Sequence, residues 1–158
     1  MLHLRLLCMG QRMPPWVESG YRDYAKRMGA FCQWSCTELP LAGRASGGSA
    51  ARARALEGER IRAALRPRER PVTLEIKGRA WTTAELAARL EAWEADGQPR
   101  AFVVGGPEGL DPAVTDLASE RWSLSPLTLP HPLVRILVTE QLYRAYSMLR
   151  NHPYHRGR

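Results

Sequence analysis

The stretch that decides the fold is Ala101-Phe-Val-Val-Gly-Gly-Pro-Glu-Gly-Leu110. A strand with one wet face alternates apolar and polar residues, whereas Ala101 to Val104 does not alternate at all. That pattern belongs to a strand covered on both faces, the condition of a parallel sheet. Gly105-Gly-Pro-Glu-Gly109 then ends the run, and Asp111-Pro112 supplies an N-cap residue followed by proline at the first helical position. A short helix is therefore expected to about Ala118. Strand, glycine turn and helix in succession form the repeating unit of an α/β domain. In such sheets ligands bind beyond the carboxyl ends of the strands, and glycine there lets backbone approach a ligand closely. The turn matches neither G-x-G-x-x-G nor G-x-x-x-x-G-K-[ST], which disfavours a dinucleotide or a triphosphate. A nucleoside without phosphate remains open, and so does a plain tight turn into a helix.

Working outward, the same alternation covers the chain. His3 to Met9 reads as a first strand closed by Gly10, and Pro14-Pro15 opens a helix to about Met28 with Trp16, Gly20 or Tyr21, Tyr24 and Met28 on one face. Phe31 to Leu39 reads as a strand, and Pro40 to Ser49 as a glycine- and serine-bearing loop. Ala50 to Leu65 favours helix, with Leu56, Ile61 and Leu65 as its apolar positions. Val72 to Ile76 is a short β-branched strand ending at Gly78. Thr82 or Thr83 caps a helix to Asp96 that buries Leu86, Leu90 and Trp93 or Ala87. Trp122 to Leu129 is a strand followed by a loop, interrupted by Pro126. Pro132 starts a final helix whose stripe is Val134, Leu137 or Val138, Leu142, Ala145 and Leu149. The expectation is one domain spanning residues 1–158: α/β, a mostly parallel sheet with helices on both faces.

The chain has 158 residues, 23 Lys and Arg against 16 Asp and Glu, and a net charge of +7. A positive balance points to a polyanionic partner such as nucleic acid. Lys26 and Lys77 are its only lysines, so a general arginine-rich composition explains part of that balance. No apolar run reaches the ~20 residues of a membrane span. The apolar start is interrupted by Arg5 and lacks the basic region and cleavage site of a signal peptide. Cys8, Cys32 and Cys36 have no second Cys or His pair at zinc spacing, so they read as free thiols and no metal site is expected.

The last stretch, Leu127 to Arg156, carries the chemistry. It holds three His, three Tyr and four Arg around a periodic helix, where chain ends are usually bland. His131 lies between Pro130 and Pro132 at a helix N-terminus, where the dipole disfavours the imidazolium ion. A neutral ring there could donate, accept or act as a base, or simply cap the helix. Glu140 and Arg144 form an i,i+4 pair, with Arg135 and Thr139 on the same polar face. After Pro153, Tyr154 could stack on a base, His155 move a proton and Arg156 pair a phosphate; the plain alternative is a solvated tail.

Taken together these residues resemble the SPOUT class of methyltransferases, and within it the RlmH family, which acts on a pseudouridine of large-subunit ribosomal RNA. The resemblance spans the chain: Met13-Pro-Pro-Trp16, Thr73-Leu-Glu-Ile76, Gly105-Gly-Pro-Glu-Gly-Leu110, Leu127-Thr-Leu-Pro-His-Pro132, Glu140-Gln-Leu-Tyr-Arg144 and Asn151-His-Pro-Tyr-His155. The segment Leu41 to Ala51 is the least family-like part. The resemblance implies a C-terminal trefoil knot, a rare exception to unknotted topology. It also implies a cytoplasmic homodimer, S-adenosylmethionine as methyl donor, and transfer to N3 of the pseudouridine on the assembled ribosome. The implied cofactor site is Leu74, Gly105, Leu124, Ser125, Pro126, Leu127, Thr128 and Leu129. The implied catalytic set is His131, His155, Tyr154 and Arg156, with Arg135, Arg144 and His152 toward RNA. A general base could add roughly 10²–10⁴-fold to in-line alignment.

Two other readings fit parts of the sequence. A non-catalytic basic α/β module binding ribosomal RNA would keep the arginine-rich surface but need neither the Gly105-Gly106 turn nor the His131 junction. A doubly wound oxidoreductase would need a phosphate fingerprint after the first strand, and Gly10-Gln-Arg-Met-Pro14 is not one.

Overall fold

The first strand, β1 (His3–Met9), lies inside the sheet with a parallel partner on each side. In the computed structural model, residues 1–43 and 48–157 are described. The other elements are α1 (Pro15–Met28), β2 (Gln33–Leu39), α2 (Ala50–Ala64), β3 (Arg70–Ala80), α3 (Thr83–Asp96), β4 (Arg100–Val104), α4 (Pro112–Thr115), β5 (Glu120–Ser123), α5 (His131–Leu149) and a 3-10 turn (Pro153–Arg156). The five strands of the described residues are ordered β2-β1-β4-β3-β5, and every pairing is parallel. The expected α/β class is thus observed.

Both faces of the sheet are covered, which explains the unbroken apolar runs. Alternation along β1 sends Leu4, Leu6 and Cys8 to one side, where they meet Val72, Phe102, Trp93 and Tyr146. Leu7 and Met9 point to the other side, against Ile61 of α2 and Val114 of α4. All five residues of β4 are buried. Arg5 shares the α2 side and is buried too. Every nitrogen of its guanidinium is engaged: Nε and Nη2 donate to Glu69, at 2.7 and 2.6 Å, Nη1 to Thr37 Oγ1 and Nη2 also to the Ala64 carbonyl. A buried charge survives only when paired and fully hydrogen-bonded, and this one is.

Helix boundaries follow their signals. The Thr82 hydroxyl accepts from the Glu85 N–H at 3.1 Å and starts α3, whose buried stripe is Leu86, Ala87, Leu90 and Trp93. Asn151 takes the left-handed conformation at φ 54° after α5. Four expectations need correction. In α1 Val17 takes the core position, while Trp16 is 59% exposed. In α2 Ala53, Glu57, Gly58 and Ile61 face inward and Leu56 faces out. The helix after Asp111 ends at Thr115, and the Asp111 side chain makes no capping bond. Finally, β3 runs on to Ala80 through an irregularity between Leu74 and Arg79, both of which pair with Trp122. Gly78 is therefore inside the strand: a Cβ there would meet the Arg121 carbonyl carbon at 2.7 Å. Part of the expected loop, Arg44 to Gly47, lies outside the described residues.

Candidate active site

One cavity of about 870 Å³ opens beside the carboxyl ends of β4 and β5 and the irregular middle of β3. The irregular middle of β3 contributes Leu74 to Lys77, the turn after β4 contributes Gly105 to Leu110, and the segment between β5 and α5 contributes Leu124, Ser125 and Leu127 to His131. Its size is that of a site for a cofactor-sized molecule. The expected cofactor residues Leu74, Gly105, Leu124, Ser125, Leu127, Thr128 and Leu129 all line it; Pro126 does not. The reading of the residues missed Lys77, which follows the quoted Leu74-Glu-Ile76 directly.

Local chemistry shapes the walls. A Cβ on Gly105 would stand 3.0 Å from the Gly109 carbonyl carbon and 3.0 Å from Leu110 Cδ2, so the turn folds back on itself through a space only glycine leaves. The Gly109 N–H closes it on the Gly106 carbonyl at 3.0 Å. The Ser123 hydroxyl donates to the Ser125 carbonyl at 3.1 Å, and the Leu127 N–H donates to Ser125 Oγ at 2.9 Å; these bonds curl the strand end into the wall. Glu75 accepts from Arg121 at 2.7 and 2.8 Å and from the Thr73 hydroxyl at 2.6 Å. Burial raises its pKa, but Arg121 and the Thr73 hydroxyl together outweigh burial and the net shift is down, leaving a charge-paired carboxylate on the rim. Lys77 is the one Lys or Arg among the described lining residues. A phosphate site would ask for several cations or a helix N-terminus with free N–H groups.

His131 stands on the same wall, at the first position of α5. Its ring rests on Gly10: a Cβ there would lie 3.2 Å from Cε1 and 3.6 Å from Nδ1. Gly10 is held at φ +105°, with its N–H on the Leu39 carbonyl at 2.7 Å. One turn along, Arg135 is 3% exposed; it pairs with Glu38 at 2.6 Å and donates to the Gly10 carbonyl at 3.4 Å. Its expected place on an RNA-facing polar surface is therefore corrected: β2 draws it inward, where it braces the His131 seat. Burial, and then Arg135, push the His131 pKa below its ordinary value.

The tail lies elsewhere. No residue of the 3-10 turn lines the cavity among the described residues. The Tyr154 hydroxyl donates to Glu140 at 2.9 Å, its ring meets Tyr143 at 4.6 Å, and Arg144 sits 4.9 Å over that ring. Burial and this carboxylate neighbour raise the Tyr154 pKa well above the ordinary phenol value. Arg144 is held by Glu140, and Arg156 donates to the Asn151 side chain at 3.3 Å. His152 accepts from the Tyr154 N–H at 3.2 Å, and His155 is half-buried. The structure thus brings together His131 and the cofactor segments, and separately Tyr154, Arg144 and the tail histidines. Tyr154 folds back onto Glu140, nine residues along α5 from His131, which sets these groups about 14 Å apart along the helix.

A family model described as "Predicted SPOUT methyltransferase" matches residues 2–155. The chain belongs to the SPOUT methyltransferase family. Among curated SPOUT relatives, "Ribosomal RNA large subunit methyltransferase H" of Pseudomonas paraeruginosa is 50% identical over 155 residues, 98% of this chain and 100% of that one. The protein of the same name from Pseudomonas putida matches to the same extent. A probable methyltransferase from Bordetella pertussis shares the fold at TM-score 0.57 and 20% identity, covering 91% of this chain and 94% of its own. A probable methylase family protein from Haemophilus influenzae does so at TM-score 0.58 and 16% identity, over 98% and 71%.

Proposed function

We propose that this chain methylates N3 of a pseudouridine in large-subunit ribosomal RNA, using S-adenosylmethionine, as a cytoplasmic homodimer acting on the assembled ribosome. The observation that carries the reading is the cavity itself. It has a glycine turn for close backbone approach, leucines for an apolar ring, one cation and no phosphate cradle, and a histidine on its wall. Those features fit a nucleoside cofactor without phosphate, held by Leu74, the Gly105 turn and Leu124 to Leu129. When bound, such a cofactor supplies an electrophilic sulfonium methyl group. The full-length likeness to relatives named for the large ribosomal RNA supports the acceptor. A trefoil knot, with α5 threaded beyond the cavity loops, belongs to the same proposal, as does a single domain for the whole chain.

The chain's own residues divide the work. The cavity walls align donor and acceptor, which is the largest contribution available to a transfer of this kind. His131 faces the acceptor. No tail residue lines this cavity among the described residues, so Tyr154, His155 and Arg156 act through a second copy, on the nucleotide in that copy's cavity. Trp16 on α1 and Leu137 on α5 are exposed apolar residues on helices that pack together, with Ile136 Cδ1 3.2 Å from a Cβ position on Gly20. That edge is the dimer surface of this proposal.

The test is methyl transfer from labelled S-adenosylmethionine to assembled ribosomes, separated subunits and naked RNA, with the modified nucleotide identified by mass spectrometry. One N3-methylated pseudouridine, on ribosomes, is the expected result. Modification of a different atom, or no transfer to any RNA, overturns the assignment. Mixing an inactive His131→Ala chain with a tail-deleted chain then checks the dimer, because mixed pairs regain one complete site. A sedimenting mass near 17.8 kDa, that of one chain, would refute it.

A further inference from the structure

We infer that His131 serves the cavity as a fixed N–H donor through Nε2, not as the base that removes the acceptor's proton. This rests on the methyltransferase reading of the site and assigns one residue's role within it. The geometry is as follows. Nδ1 is buried and has no hydrogen-bond partner. It faces Gly10, 3.6 Å from the position a Cβ would take, so no water-filled space separates ring and backbone there. A neutral imidazole carries its proton on one nitrogen only. If that proton were on Nδ1, it would be a buried donor with no acceptor, beside the guanidinium of Arg135. With the proton on Nε2, the electron-rich nitrogen is the buried one, near the Arg135 charge, and the N–H is left for the cavity that His131 lines.

The surrounding charges hold this state. On α5, Arg135 is one turn from the ring and shares Gly10 with it. On β2, Glu38 is committed to Arg135 at 2.6 Å, and on β1 and β2 the thiols of Cys8 and Cys36 interact with the same guanidinium. No carboxylate is bonded to the ring itself among the described residues, so nothing on its buried side steadies an imidazolium ion. A histidine that must gain a proton in the transition state is poorly served here. A donor aimed at a carbonyl oxygen of the acceptor ring is well served, because loss of the imide proton spreads negative charge onto the two flanking carbonyl oxygens. The exchange then balances simply. A nitrogen–carbon bond replaces a sulfur–carbon bond, whose electron pair stays on sulfur, and the imide proton leaves to solvent.

Two measurements decide it. Nitrogen-15 and proton NMR of the His131 ring in the protein without ligand reads the tautomer and the titration directly. The expected result is an Nε2–H tautomer titrating below the ordinary histidine range; an Nδ1–H tautomer, or titration at or above that range, overturns the inference. Second, His131→Gln and His131→Ala are compared in methyl transfer, once circular dichroism shows both folded. Glutamine places an amide N–H near Nε2 but cannot take a proton. His131→Gln is expected to keep at least tenfold more activity than His131→Ala, whereas equal loss in the two variants means a base. If the protein methylates no RNA at all, the functional reading fails while the NMR result still stands or falls alone.

Discussion

The two ends of the β1 sheet segment hold buried polar groups in opposite ways. At the start of β1, Arg5 is locked by Glu69, Thr37 and the Ala64 carbonyl, with every guanidinium nitrogen engaged. At its finish, Gly10 sits in a glycine-only conformation under a histidine whose inner nitrogen has no partner. A saturated group has no capacity left for anything arriving from solution. An incompletely satisfied one costs stability and stays available. The first end is thus a structural clamp, and the second is where chemistry is placed.

Breaking the clamp gives the largest expected effect. Arg5→Ala leaves Glu69 buried without its counter-charge, and should cost about 3–5 kcal/mol of unfolding free energy in urea melts. A loss under 1 kcal/mol would abolish the contrast. Acid sharpens the same point. Burial raises the Glu69 pKa, but Arg5 and Arg66 together outweigh burial and the net shift is down. A carboxylate depressed in the folded state stabilises above its unfolded pKa, roughly 4.3, and that stabilisation is lost as pH falls through the folded value. Stability should therefore fall on acidification below about pH 4.5 in the wild type. Arg5→Met should show a shallower fall.

At the other end, effects should register in binding first. Gly105→Val sets two methyl groups against the Gly109 backbone, and overpacking of this kind costs about 1–3 kcal/mol. The displaced turn should weaken S-adenosylmethionine binding by about tenfold or more in calorimetry, while the melt loses no more than that strain. Wild-type affinity in a folded variant would remove this turn from the site. The smallest effect on stability belongs to the tail. Deleting Tyr154 to Arg158 removes the Tyr143 ring contact and the Glu140 hydrogen bond, about 1 kcal/mol together, yet on this reading methyl transfer falls by orders of magnitude. Wild-type turnover on ribosomes would mean that the tail only caps its own helix.

Much of this was legible in the residues. The uninterrupted apolar run of β4 required cover on both faces, and α3 announced both its cap and its stripe. The cofactor segments were visible as strand ends, since position in a parallel sheet is enough to place them. What escaped depended on contacts distant in sequence. Arg135 looked like a surface cation because nothing local says that Glu38, 97 residues earlier, will pull it inward. Trp16 looked like core because hydrophobicity does not say which of two neighbouring apolar residues, Trp16 or Val17, a helix will turn inward. Gly78 looked like a terminator because the strand irregularity that needs it is made with Arg121 and Trp122. The separation of His131 from the tail could not be seen in motifs, only in the fold, where Tyr154 packs back on Glu140 and Tyr143 and not on the cavity.

The central place of β1 has a consequence for the nascent chain. Its partner β2 ends at Leu39 and can pair early, but its other edge is meant for β4, which ends at Val104. At about 5–20 residues per second, synthesis leaves that edge open for roughly 3–13 s. Throughout that interval Leu4, Leu6, Leu7 and Met9 form an unpaired apolar ribbon, the kind of edge that recruits other chains. Only the lone charge of Arg5 interrupts it, and Glu69, which will claim that charge, is made partway through the wait. The residue that clamps the finished sheet is thus also the gatekeeper of the unfinished one.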